Sequence, residues 1–327
     1  MANDKYEIDF STSNSKSTID GVKSYRIKAK KDIGTKVKKG DLGGFVQSEA
    51  NLDTTGNAWI FNDAMVINDA VVKDNAIVKD RALIMNNATV KGNAIVNGKA
   101  LIMDSAMVKG NAKIKNNSVI KDNAIIQDIA VVKDNATIMD NSIVMNNAKV
   151  NGKAVVKDNA IIMDNAMVSA DAVIMDNATL KHYVLVKGKA EISGYATLLH
   201  ASIVKGQAKV FGKACVSCYS KISNNAMVYD RALIYASCHI FGNAKVRGNA
   251  TVGGKNQVFG ETVVEGETHL YAFDEIYGSS IISNMRGTWD SISVVESIRN
   301  VISITSNIED VFEALQEQTK KVTEYFH

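Results

Sequence analysis

The chain has no proline in 327 residues, only three cysteines, and few aromatic residues. Proline cannot donate to a strand ladder, so its absence fits an unbroken array of paired strands. Cys215, Cys218 and Cys238 are too few and too clustered for a disulfide framework, and they suit a reducing compartment. No uninterrupted apolar run approaches the ~20 residues of a membrane span, and the opening Met-Ala-Asn-Asp-Lys lacks the apolar core of a signal peptide. A cytoplasmic protein is the expectation. An excess of one charge is missing too, with 38 Lys and Arg against 35 Asp and Glu. That balance argues against nucleic acid as a partner.

What is present is a period. From Ala58 to Thr268 every sixth residue is small, without insertion or deletion, through 36 hexads of which 27 carry Ala at this register position. The exceptions include Ser118, Ser142, Cys238 and Asn256. Two residues after each register position comes Val, Ile or Leu, from Ile60 to Leu270. Side chains two apart on a strand share a face, so the small and aliphatic residues point inward and the two variable ones outward. Gly, Asn or Asp usually opens the remaining pair, as at Gly92, Asp122 and Asn146, because these residues tolerate a left-handed backbone. Three hexads, each with its bend, close one coil. The expected fold is all-β: a triangular parallel β-helix of about 12 coils, about 58 Å long at ~4.8 Å per rung.

Val-Lys-Asp-Asn-Ala at 72–76 and Val-Lys-Gly-Asn-Ala at 90–94 match the aliphatic, turn and small positions of the hexapeptide-repeat family, which the stretch 58–270 resembles. The resemblance implies a left-handed parallel β-helix. The position after the aliphatic residue, often Gly in that family, is here Lys, Met, Tyr, Phe or Ser. The segment Tyr25-Arg-Ile through Leu42-Gly-Gly-Phe, followed by Asn57-Ala-Trp-Ile, is similar to the start of uncharacterised members from bacteria and their phages, commonly labelled transferases.

Solenoid ends expose core and unpaired edges, so each needs a closing segment. The expected organisation is a mobile lead-in over 1–20, an N-terminal cap over 21–56 and the repeat over 57–271. An irregular β extension follows over 272–306, then a C-terminal helix over 307–327. That helix carries an apolar stripe of Ile308, Val311, Phe312, Leu315, Val322 and Phe326 behind a Ser306-Asn307 N-cap.

Acyltransferases of the resembled family use a His as general base between subunits, with a loop enclosing the acyl donor. His182 and His200 lie one coil apart on the same corner, with Cys218 next in the column and Tyr183 and Tyr219 beside it. They are the candidate catalytic pair, weighed against simple repeat decay at a corner facing a partner. No inserted loop encloses a donor, which favours a non-catalytic reading. His239 and His269 fall on outward positions and are expected at the surface. The column Asp104, Asp122, Asp140, Asp158 and Asp176 could hold calcium between coils; the favoured alternative is that each Asp bonds its own turn amides. No cofactor and no metal are expected.

The informative outward feature is apolar. At the first outward position, 17 of the 22 hexads from Ala58 to Val184 are apolar, against 5 of the 14 that follow. Patches of this scale exceed what monomers usually expose. The expected interface comprises Met65, Leu83, Met85, Leu101, Met103, Ile125, Met139, Ile161, Met175, Phe312 and Leu315. The resulting expectation is a homo-oligomeric, dimeric or trimeric scaffold that binds a protein partner, without nucleic acid or membrane, in a phage or prophage setting that only the resemblance suggests. A trimeric acyltransferase and a bactofilin-like filament are the alternatives.

Overall fold

The computed structural model describes residues 3–18, 21–271 and 275–285. Short strands recur at every hexad, 36 of them from β5 (Trp59–Ile60) to β40 (His269–Leu270). Each up to Val263–Glu265 pairs in parallel with the strand three hexads on, as Ile77 beside Ile95 and Val78 beside Val96. The chain is therefore a three-sided parallel β-solenoid. Face I starts at Trp59–Ile60, face II at Met65–Val66 and face III at Val71–Val72, forming sheets of 13, 17 and 12 strands.

The interior explains the hexad. Aliphatic positions from Ile60 to Val264 and the register alanines from Ala58 to Ala250 are buried almost completely. A narrow three-sided coil admits a branched side chain in mid-strand and only a small one beside each bend, and close packing penalises any change of volume. Polar register residues are tolerated where they reach the carbonyl at the end of the preceding strand. Ser118 Oγ donates to Lys115 O at 2.7 Å, Ser142 Oγ to Met139 O at 2.6 Å, and Thr262 Oγ1 to Phe259 O at 2.8 Å. A buried hydroxyl without such a partner costs free energy.

The bends stack in ladders. At the first turn position φ is positive, for instance 57° at Asp122 and 70° at Gly92. Asn at the second turn position donates through Nδ2 to the Asn one coil on, as along Asn57, Asn75, Asn93 and Asn111 at 3.1–3.2 Å.

The opening residues form strands where the polar composition predicts a mobile lead-in. β1 (Tyr6–Asp9) and β2 (Ser15–Ser17) pair antiparallel with β3 (Lys23–Ala29), which pairs antiparallel with β4 (Leu42–Val46). Polar composition hides the anchors: Tyr6 and Lys5 are 1% exposed, and Lys5 Nζ donates to Asp53 O at 2.7 Å. β4 then pairs in parallel with Met65–Val66, so the cap extends face II.

The hexad register also outlasts Tyr271, where the sequence pattern predicts that it lapses. β41 (Glu275–Ile276) and β42 (Ile281–Ser283) pair with the strands one coil earlier, placing Ile276 beside Val258 and Ile282 beside Val264. The aliphatic positions persist although Asp274 and Ser280 replace the usual Ala. The expected C-terminal helix, with Phe312 and Leu315, lies outside the described residues.

Candidate functional site

Every corner but one follows the same polar rules. In the column Asp104 to Asp176, each carboxylate accepts from the turn amide of the next coil, and not from the amides of its own turn that the sequence pattern favours. Asp122 Oδ2 accepts from Asp140 N at 3.2 Å, and Asp140 Oδ2 from Asp158 N at 3.0 Å. Stacking of successive coils brings that amide closer than any in the same bend. Among the described residues no group of three or more His, Cys, Asp or Glu is arranged to hold a metal ion.

The exception is the corner between faces III and I from His182 onward. His182 and His200 meet, as their spacing implies. Their rings stack with centroids 4.5 Å apart and planes 15° from parallel. Burial lowers the His182 imidazole below its usual value, with Asp164 opposing the shift. Burial, then His182 and Lys181, lower His200 to about 4. An imidazole held so low is a weak general base near neutral pH. Asp164 does not orient His182 as a catalytic carboxylate would. Its Oδ2 is 4.0 Å from His182 Nε2 and accepts instead from the His182 backbone amide at 3.0 Å. Oδ1 accepts from Asn146 Nδ2 at 2.8 Å. An open depression of about 580 Å³ runs along this corner, with Asn147 and Asn165 between Ile129 and Tyr183.

The backbone changes here as well. Elsewhere among the described residues one residue per bend has positive φ; at this corner two consecutive residues do in four successive coils, the last being Gly254–Lys255 (72° and 64°) and the first three lacking glycine. Those three are His200–Ala201 (47° and 56°), Cys218–Tyr219 (52° and 63°) and Ala236–Ser237 (55° and 63°). Left-handed residues with a Cβ cost roughly 1–2 kcal/mol each. The same bends leave buried hydroxyls of Ser202, Ser217 and Ser220 without a hydrogen-bond partner among the described residues.

A small apolar cluster lies outside the prism beside this corner. Leu199, Cys215, Leu233 and Tyr235 are buried together on face III, with Cys218, Ala236 and Tyr271 packed against them. Burial pushes the Cys215 thiol up to about 12, and likewise Cys238, which points inward. Neither is poised for thiol chemistry. The Tyr235 ring lies over Gly253, where an added Cβ would fall 2.5 Å from ring atoms. His269 is covered too, only 7% exposed beside Tyr271, and His239 is half-buried against Phe241 with Nε2 2.9 Å from Ser223 Oγ. Register alone places both at the surface. Alternation identifies outward positions but not what a large neighbour folds over them.

No family model matches the chain, and no curated protein matches it.

The expected interface residues divide between two faces. Met65, Leu83 and Leu101 occupy the first outward column of face II, Met85, Met103, Met139 and Met175 the second, and Ile125 and Ile161 belong to face III. All nine are half-buried, because each is flanked by its neighbours one rung above and below. Trp59, apolar and outward by register, is fully covered, its ring edge-on to Tyr6 with centroids 6.4 Å apart. Sequence spacing misses the paired left-handed residues of the rewritten corner. Their signal is the loss of Gly, Asn and Asp from both turn positions in successive coils.

Proposed function

We propose that this chain is a non-catalytic scaffold that self-associates through face II and presents its C-terminal coils to a protein partner. The observation that carries the reading is the strip from Met65 to Met175. Two adjacent columns run seven rungs, about 29 Å at ~4.8 Å per rung; Ile67 at the first rung is fully covered, and only Lys121, Thr137 and Lys157 are polar. Half-buried methionines present flexible, polarizable side chains that adapt to a facing surface. The hexads up to Val184 carry no inserted segment, so a flat surface of this kind can meet a second copy along its whole length. The resemblance to hexapeptide-repeat proteins fits the same reading.

Mass photometry of the full chain tests it. A discrete dimer or trimer that becomes monomeric in the Met103→Lys, Met139→Lys double variant is the expected result, since both side chains lie outside the core. A monomer before mutation overturns self-association, and an open series of masses means filaments. The acyltransferase alternative rests on His200. Turnover of a coenzyme A thioester that disappears in His200→Ala would replace the scaffold reading.

A further inference from the structure

The turn ladder at the corner between faces III and I reverses direction between two coils. At Asn75, Asn93, Asn111, Ile129 and Asn165 the second turn residue donates forward to the carbonyl of the next coil: Asn75 N to Gly92 O at 2.9 Å, Asn93 N to Gly110 O at 2.7 Å, Asn165 N to His182 O at 3.0 Å. Beyond it the second turn residue donates backward: Tyr219 N to His200 O at 2.9 Å, Ser237 N to Cys218 O at 2.8 Å, Lys255 N to Ala236 O at 2.8 Å. The paired positive φ angles accompany the change.

Every peptide here is trans, so its N–H points opposite to its C=O. The His182 carbonyl faces the preceding coil, and the Tyr183 N–H therefore faces the coil of His200. The His200 carbonyl faces the following coil, and the Ala201 N–H therefore points back. Between these two coils donor meets donor. Neither N–H has a protein acceptor among the described residues. Rungs are ~4.8 Å apart, and an N–H···O bond spans about 2.9 Å. One oxygen set slightly outward of the line joining the nitrogens therefore satisfies both.

We propose that the Tyr183 and Ala201 amides form a binding site for an oxyanion, a carboxylate or phosphate group, whose oxygen bridges the two coils. Successive backbone N–H groups facing one point make an anion-binding concavity. Lys181 lines the adjoining depression with His182 and Tyr183, supplying a cation and space for the rest of the ligand. Asp164, the nearest carboxylate in that lining, lies on the other side of the His182 turn, with its oxygens engaged by Asn146 Nδ2 and His182 N. The site is independent of self-association through face II.

The full chain labelled with ¹⁵N-tyrosine gives a test, because ten tyrosines yield a countable amide spectrum. Inorganic phosphate should shift the Tyr183 amide proton downfield and saturably, while Tyr219, already bonded to His200 O, stays in place. Acetate in place of phosphate tells whether a planar carboxylate suffices. Lys181→Ala should weaken the midpoint roughly two- to fivefold, as removal of a surface charge partner does. His200→Gly with Ala201→Asn restores the Gly-Asn turn of Gly92–Asn93. The Tyr183 amide should then gain exchange protection and lose its response. A Tyr183 amide indifferent to both anions in the native chain means that water alone bridges the coils and overturns the proposal. So does an unchanged response in the double variant once Tyr183 is protected.

Discussion

Single positions in this solenoid are decided by what lies one rung away. Gly253 has ordinary backbone geometry, yet the Tyr235 ring occupies the place of its missing Cβ. Gly253→Ala should therefore displace that ring and open the cluster of Leu199, Cys215 and Leu233. Overpacking of this kind costs about 1–3 kcal/mol, to be read by chemical denaturation; an unchanged midpoint would show that the ring finds another seat freely. Burial lowers His200 and His239 to about 4. His182 and Lys181 lie against the first, and Lys205, Lys221 and Ser223 against the second. An imidazole whose folded pKa lies below its unfolded value binds fewer protons when folded, so stability rises with pH across that interval. It is complete above the ordinary histidine value of 6.5 and is lost as pH falls towards about 4. Thermal melts from pH 7 to pH 4 should show this fall, and His200→Asn with His239→Gln should flatten it. Parallel curves for both proteins would place the acid sensitivity elsewhere.

At the level of the rung, the strands are too short to hold themselves, and the corners contribute the polar half of the structure. Asp140 accepts from Asp158 N and lies below Asp122, whose Oδ2 accepts from Asp140 N. Asp140→Asn keeps an acceptor and should be nearly neutral. Asp140→Ala leaves the Asp158 amide to water and should cost about 0.5–1.5 kcal/mol, the net worth of one hydrogen bond. Urea titration of both variants decides it, and equal losses would mean that charge and not acceptor geometry matters. The rungs also show what can be read in advance. The hexad period, the inward pair and the left-handed turn residues are all legible, because a strand's alternation and a bend's φ are local properties. The reversed ladder at His200 is not, since peptide orientation depends on the coil below. Nor is the burial of His269, which needs Tyr271 to lie flat beside it. Tyr6 is hidden for a related reason: its partners, Glu49 O and Leu52 O, are remote from it in the sequence.

Across the whole molecule each coil touches only its neighbours, so stability is a sum of short-range contributions along one axis. The joint between cap and prism should then be a local weak point. Trp59 fills it, packed edge-on against Tyr6, with the Gly43 backbone so close that a Cβ there would fall 2.8 Å from the indole. Trp59→Ala removes a fully buried side chain, a loss of about 3–5 kcal/mol in a close-packed site. Were the solenoid a single cooperative unit, that loss would lower protection at every rung equally. With nearest-neighbour coupling it stays near its source. Hydrogen exchange followed by mass spectrometry should therefore quicken over Tyr6–Asp9, Lys23–Ala29 and the coils up to about Val90. The coils around Ile126 to Ile162 should keep their native rates. Uniform acceleration along the prism would overturn the one-dimensional account, and with it the expectation that changes in the His182–His200 corner leave self-association through Met65–Met175 untouched.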